Sequence, residues 1–371
     1  MESEAQFLFV TCQVGAESAV KGELARDLPD YRLAYSRPGF LTFKLPPPYL
    51  VPDDFDPRSV FARTHGLTLG KVTGESDEEL AHAAWTLVAG RPFARLHVWQ
   101  RDERAAGDHG YEPGPSAAAH AARAALASAA PAWAAPLAAA PATAQPGELV
   151  FDCVLVNRGE WWLGQHRAQA GPSCLEGGYF EVATPAEPVS RAYLKMAEAL
   201  AWSQLPLKSG QRIVELGCAP GGSCQLLLRR GLLVTGVDPA AMNPTVLGHA
   251  NFTHLRKRAS DVRRREFRQT RWLASDMNVA PEFTLDAVEA IVTHPEVHVE
   301  GLLLTLKLLD WNLAQEIPRY QDRVRSWGYS QVAARQLQHG RQEICVAAHR
   351  PAERHDRGGR AAAKARRRTS A

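Results

Sequence analysis

Ile213-Val-Glu-Leu-Gly217-Cys-Ala-Pro220-Gly221-Gly222-Ser223 decides how the chain is read. An apolar strand runs into a glycine-rich turn, and the turn into a helical pattern over Ser223 to Arg230. Glycines permit the tight turn and let a ligand approach backbone N–H groups at a helix N-terminus, which favours a negatively charged group. The dinucleotide fingerprint G-x-G-x-x-G fails, because Ala219 stands where its second glycine belongs, and there is no G-K-[ST] phosphate loop. Glu215 ahead of Pro220-Gly221-Gly222 suits S-adenosylmethionine instead, with its carboxylate on the loop and its sulfonium in anionic surroundings. Asp238 ends the next strand, 21 positions after Gly217, where an acid binds the ribose hydroxyls of a nucleoside cofactor. Alone, Asp238 is equally a capping aspartate at an ordinary strand-to-helix turn; the two features together favour the cofactor.

Around this loop, helical and strand-like patterns alternate. A helix over Arg191 to Leu205 precedes strands at Arg212–Leu216, Leu232–Val237, Arg271–Ala274, Leu302–Leu306 and Ile344–Ala348, with a further helix at Glu316–Trp327. Such alternation implies a parallel sheet with helices on both faces. The first 170 residues read differently. Strand Gln6–Cys12, helix Ala16–Leu28 and a hairpin over Tyr31–Leu45 precede a Pro/Asp-rich linker, Pro46–Pro57. A second α+β unit begins near Val60, with a capping box at Ser76 and Glu79, a strand at Ala94–Gln100 and a hairpin turning at Asn157-Arg-Gly159. Between Pro113 and Pro146 the chain is almost all Ala and Pro, apart from a helical stretch at His120–Ser128, and reads as an insertion. The Gly/Pro-rich connector Gly171–Pro188 marks the main boundary.

Composition narrows the class. With 371 residues, 45% hydrophobic and 22% charged, the chain is globular, not disordered, and has room for two or three domains. No apolar run reaches membrane-spanning length, and Met1–Gln6 carries two glutamates where a secretory leader would be basic. Six cysteines without a C-x-x-C pair argue against a disulfide scaffold and a zinc ribbon. His294 and His298 lack a third ligand, so no metal is expected. The expectation is a reduced, cytoplasmic enzyme with no membrane association.

The ordered motifs resemble those of the FtsJ-like ribose 2′-O-methyltransferases and, within them, the bacterial family that methylates a cytidine of 23S ribosomal RNA. The resemblance rests on Ser190-Arg-Ala-Tyr-Leu-Lys195, Glu215 to Gly222, Val237-Asp-Pro, Ala274-Ser-Asp276-Met, Leu306-Lys307-Leu and Glu343 in Arg-Gln-Glu-Ile-Cys-Val, and extends to Phe9–Glu23 and Phe61-Ala-Arg. It implies an α/β chain: a Rossmann-like class I methyltransferase domain with a mainly parallel doubly wound sheet, preceded by ferredoxin-like and THUMP α+β domains. The corresponding ranges are 1–57 (ferredoxin-like), 58–170 (THUMP-like and RNA-binding, with 113–146 inserted), 171–350 (methyltransferase) and a basic tail, 351–371. It further implies a catalytic tetrad of Lys195, Asp276, Lys307 and Glu343, and an S-adenosylmethionine site at Ser190, Gly217, Ala219, Pro220, Gly221, Gly222, Asp238 and Asp261, with Glu215 and Asp276 beside it. Glu215 replaces the family's usual Asp, and Ser223 stands where an aromatic residue is usual.

The chemistry suits those residue types. A ribose hydroxyl is a weak nucleophile at neutral pH, so methyl transfer needs a positioned base and an in-line approach. A lysine serves as base if desolvation or a nearby cation lowers its pKa. Lys307, at a strand end, is the expected proton acceptor, and Lys195 assists. Plainer readings stand beside these: Lys195 paired with Glu198 on one helix, Asp276 as a helix cap, Glu343 as a solvated edge residue. Cys218 and Cys224 read as buried fillers, and Trp161 and Trp162 either stack on bases or pack inward.

The net charge of +3 hides an asymmetry: residues 1–150 carry −5 and residues 151–371 carry +8. Residues 251–271 hold eight Lys/Arg against two acids, as do residues 350–371. Clusters of this kind bind phosphate backbones through counterion release. The tail is equally a solubilising end; the internal stripe points to RNA. The expected partner is 23S ribosomal RNA or a pre-ribosomal particle, and a monomer is favoured. Two alternatives stay open: a methyltransferase acting on another RNA or a small molecule, and a non-catalytic RNA-binding or ribosome-assembly factor.

Overall fold

A computed structural model describes residues 6–350. The basic tail lies outside the described residues. Two seven-stranded sheets organise the chain.

The first sheet contains β1 (Phe7–Cys12), β2 (Arg32–Arg37), β3 (Phe40–Lys44), β4 (Ala62–Thr73), β5 (Arg95–Gln100), β6 (Leu149–Asn157) and β7 (Glu160–Arg167), in the order β2-β3-β1-β4-β7-β6-β5. Helices α1 (Glu17–Asp27), α2 (Asp77–Leu87), α3 (Ala117–Ser128) and α4 (Ala135–Ala139) accompany it. The twelve-residue β4 pairs with β1 on one side and β7 on the other, so the two units expected over 1–57 and 58–170 share one continuous sheet. Ser76 caps α2 as its sequence predicts, accepting from the Glu79 N–H.

The Ala/Pro-rich stretch is not an appendage. β5 and β6 run parallel, so the chain must cross over between them, and α3 and α4 form that crossover. Ala122, Leu126, Ala134 and Leu137 are buried in one core with Trp85 and Phe151, and Trp85 Nε1 donates to the Leu126 carbonyl at 2.9 Å. Small residues let these helices lie close to the sheet. Trp161 is buried in the same core, whereas half-buried Trp162 packs on Tyr35 and Phe40 and donates to Glu160. Both tryptophans pack against the protein's own side chains.

The second half comprises α5 (Ala192–Ser203), β8 (Arg212–Leu216), α6 (Gly222–Arg229), β9 (Leu233–Val237), α7 (Pro244–Leu247), β10 (Phe252–Leu255), β11 (Trp272–Ser275), α8 (Pro281–Val292), β12 (Gly301–Lys307), α9 (Ile317–Ser326), β13 (Gln331–Arg335) and β14 (Glu343–His349). Its order is β10-β9-β8-β11-β12-β14-β13, with β8 to β12 parallel and β14 antiparallel to both its neighbours. Strand order reverses between β8 and β11, and a doubly wound sheet binds ligands outside its strand C-termini at such a point. The strands absent from the sequence reading, β10 and β13, are the two edges.

The halves share a core. Leu8, Val10, Leu41 and Phe61 pack in one cluster with Val214, Leu273, Leu302 and Val346, and Phe61 meets Trp311 edge-on at 5.8 Å. Gln13 Nε2 donates to the Gly340 carbonyl at 2.6 Å, and Gln336 Nε2 donates to Gln13 Oε1 at 2.8 Å. The first sheet therefore buttresses the segment leading into β14.

Candidate active site

Four charged side chains converge where β11, β12 and β14 meet. Asp276 follows β11, Lys307 ends β12, and Glu343 opens β14 directly opposite Lys307 in the antiparallel register. Lys195 reaches them from α5. Lys195 Nζ pairs with Asp276 Oδ2 and lies 3.1 Å from Glu343 Oε1. Lys307 Nζ lies 2.8 Å from Asp276 Oδ1 and pairs with Glu343 Oε2. Cations and anions thus alternate around a closed ring. An ammonium carries three N–H donors, and two carboxylates leave one per lysine to face a substrate oxygen.

The ring's electrostatics favour a charged Lys195. Burial pulls the Lys195 ammonium down, but Asp276 and then Glu343 outweigh it, and its pKa rises above the ordinary lysine value. Interleaved carboxylates shield the two ammonium groups from each other, so Lys195 stays charged. Burial pushes the Asp276 carboxyl up, yet Lys195 and Lys307 hold it below the usual carboxylate range. Lys195 is also not the partner of Glu198. That carboxylate is buried, accepts from the backbone N–H groups of Gln338 (2.8 Å) and His339 (3.2 Å), and is pushed up to about 7 by desolvation.

The glycine loop lies against this ring. Gly217 has a φ of +76°, and a Cβ there would sit 2.8 Å from the Met277 Cα and 2.9 Å from the Asp276 carbonyl oxygen. Asp276 N–H donates to the Leu216 carbonyl at 3.0 Å. The turn after β8 and Asp276 therefore fix each other's backbone. Gly221 enters α6 at a φ of +116°, and a Cβ on Gly222 would meet Ser190 Oγ at 2.2 Å. Ser190 Oγ itself is buried without a hydrogen-bond partner.

Other expected cofactor residues fare differently. Asp238 braces the loop, accepting from Ala219 N–H at 3.1 Å and Ala240 N–H at 2.8 Å while leaving lone pairs for a ligand; the helix that follows is capped by Asn243 instead. Glu215 is buried beneath the loop, takes a hydrogen bond from Cys224 Sγ at 2.9 Å, and is pushed up to about 7 by desolvation. It underpins the loop and presents no open carboxylate, and Cys224 is its partner as well as a filler. Asp261 is exposed in a short turn after β10, with Ser260 Oγ as its partner.

The basic stripe divides in two. The segment from β10 to β11 must travel from the C-terminal edge of the sheet back to its N-terminal edge. Arg256, Lys257 and Arg258 leave β10 at the cofactor edge, where Arg256 Nε donates to the Pro239 carbonyl at 3.2 Å. At the far edge, Arg271 pairs with Glu300 at 2.8 Å, while Arg268 pairs with Glu296. The +6 counted along the sequence is thus partly neutralised where it is remote from the site.

Sequence reasoning missed the residues that hold the segment before Glu343. Arg191 pairs bidentately with Glu112 of the first half and donates to the His339 carbonyl at 3.0 Å, and His339 Nδ1 faces Glu112 at 2.8 Å. With Glu198, these contacts tie α5, the Gln338–His339 turn and the first half together. The only local signal was an acid, Glu198, inside the apolar run of α5.

Residues 188–316 match the FtsJ-like methyltransferase family model. The chain is also 32% identical over 184 residues to "Ribosomal RNA large subunit methyltransferase M" of Laribacter hongkongensis (strain HLHK9), covering 47% of this chain and 52% of that protein. It is 32% identical over 176 residues to the protein of the same name from Halorhodospira halophila, covering 46% and 50%. The chain spans about half the length of the curated relatives it matches. Among solved structures, TrmN from Thermus thermophilus spans 92% of this chain and 99% of its own, at 14% identity and a TM-score of 0.33, a likeness too slight to build on. S-adenosylmethionine is the cofactor that the family match supports. The glycine cradle at the α6 N-terminus and the orphaned Ser190 hydroxyl fit its carboxylate.

Proposed function

We propose that the protein transfers a methyl group to a ribose 2′-hydroxyl of a cytidine in 23S ribosomal RNA. The observation that carries this reading is the closed Lys195–Asp276–Lys307–Glu343 ring beside the glycine loop. The FtsJ-like match and the name of the curated relatives support the reaction and the RNA.

Bound S-adenosylmethionine supplies the electrophilic methyl. Ser190, Gly217 and Ala219–Gly222 would hold it, with Asp238 toward its ribose and Asp276 nearby; Asp261 is a peripheral contact at most. Lys195, kept charged by two carboxylates, would orient the substrate oxygen or its phosphate through its free N–H. Lys307, in its uncharged form, would take the hydroxyl proton on Nζ as the oxygen gains its methyl. Asp276 and Glu343 hold both amines in place. Arg256, Lys257 and Arg258 have no acidic partner among the described residues and would meet the RNA backbone at the cofactor edge. In this reading the first sheet carries the THUMP-like RNA-binding role. No helix among the described residues is long and apolar enough to cross a membrane; a cytoplasmic protein acting on RNA or pre-ribosomal particles is the accompanying proposal.

Unmodified large-subunit ribosomal RNA incubated with the protein and S-adenosylmethionine, then digested for nucleoside mass spectrometry, should yield 2′-O-methylcytidine. A base-methylated nucleoside, or no product, refutes the reading.

A further inference from the structure

Away from the methyltransferase site, β5, β6 and β7 place three ligating side chains side by side. His97 on β5 stands opposite Asp152 on β6, and His166 on β7 stands opposite Val150, two residues along β6 from Asp152. All three are buried, and one potential ligand atom from each lies within 4.8 Å of the others.

Their hydrogen bonds fix what each ring offers. His97 Nε2 lies 2.8 Å from the Ala142 carbonyl, and His166 Nε2 lies 2.8 Å from the Ser173 carbonyl. A carbonyl only accepts, so both Nε2 atoms carry the proton. In the neutral rings, Nδ1 is then the lone-pair atom. His166 Nδ1 faces Asp152 Oδ2 at 2.7 Å, a contact that either a proton on Nδ1 or a metal ion on that side of the ring satisfies. Asp152 Oδ1 is buried without a hydrogen-bond partner, a cost that native structures rarely leave uncompensated.

We propose that His97, Asp152 and His166 bind one divalent metal ion of the zinc class. Two neutral imidazoles whose other N–H groups are anchored on carbonyls, plus one carboxylate, make the donor set and outer shell that such ions take. The three ligands leave a position open. His97 and His166 also line a cavity of about 260 Å³ between the two halves, several times the space one water needs. Arg58 and Arg335 on its other walls favour hydroxide or an anionic oxygen in that position. An ion there would fasten β5–β7 to the Ala142 and Ser173 loops, independently of methyl transfer.

The test uses the full-length chain stripped with a chelator and titrated with Co²⁺, a spectroscopic stand-in for zinc. The expected result is one equivalent bound, with visible ligand-field absorption, no thiolate-to-metal charge transfer, and displacement by Zn²⁺. Asp152→Asn and the milder His97→Gln should each weaken binding by at least the ~10–100-fold that loss of an outer-shell partner costs. His120→Ala, on α3, should change nothing. Circular dichroism identifies which variants are folded, and the wild-type stoichiometry and spectrum stand without them. Failure of the wild type to take up an equivalent overturns the proposal and leaves a proton shared by His166 and Asp152. Thiolate charge transfer, or unchanged binding in a folded His97→Gln protein, overturns it equally.

Discussion

Replacing Glu215 by Gln should make the protein less sensitive to rising pH, by an amount that follows from the carboxylate's burial. Glu215 sits under the cofactor loop at 1% exposure, and its pKa lies at about 7 against an ordinary 4.5. Between those values the folded protein keeps a proton that the unfolded chain releases, so stability falls as pH rises through the window. At about 1.4 kcal/mol per unit, the ionised group costs folding about 3 kcal/mol above pH 7, and about 2.5 kcal/mol of that develops between pH 5 and 8. Gln fills the same volume and still accepts from Cys224. Its amide, short of an acceptor, costs about 1–3 kcal/mol at any pH. Glu198, also raised to about 7, tilts both proteins equally and cancels. Isothermal denaturation of both proteins at pH 5 and pH 8 should therefore show the variant gaining about 2.5 kcal/mol relative to wild type at the higher pH. A difference between the proteins that is the same at both pH values refutes the placement of this carboxyl in a dry, loop-supporting site.

The site and the fold yield further measurable outcomes. Lys307→Ala should lower methyl transfer by at least ~100-fold, the usual yield of a general base, while calorimetry still registers cofactor binding. Gly222→Ala would drive a methyl to 2.2 Å from Ser190 Oγ, so cofactor affinity in the same calorimeter should fall by more than ~10-fold because the cradle must open. Leu126→Ala, beneath Trp85 in the crossover, should cost about 2–5 kcal/mol in denaturation; a cost near zero would return that segment to the status of an insertion. Neutralising Arg256, Lys257 and Arg258 should reduce the log–log salt slope of RNA binding by about 0.7–1 per residue, whereas Arg271→Ala, across the sheet and paired with Glu300, should leave it nearly unchanged.

How much of this was legible depends on how local the determining physics is. The strand, turn and helix from Ile213 to Arg229 are a local pattern, and they form where the residues alone place them. The four charged groups are another matter. Lys195 and Glu343 are 148 positions apart, and their meeting depends on β14 entering antiparallel with Glu343 opposite Lys307. Spacing carries no trace of that register, so only the resemblance to a known family could assemble the set. Glu198 shows the converse failure. The i,i+3 rule pairs it with Lys195 because that rule sees a single helix, while the Gln338–His339 turn, far along the chain, offers two backbone donors that a buried carboxylate cannot forgo. The Ala-rich crossover was hidden for a different reason: alanine adds little to any hydrophobic period, yet Ala119, Ala122 and Ala134 are buried. Charge counting failed in the same one-dimensional way. A run of eight basic residues reads as one surface until the chain is seen to cross from one end of the sheet to the other. From there, each arginine's partner, rather than its neighbour in sequence, decides whether it can reach RNA.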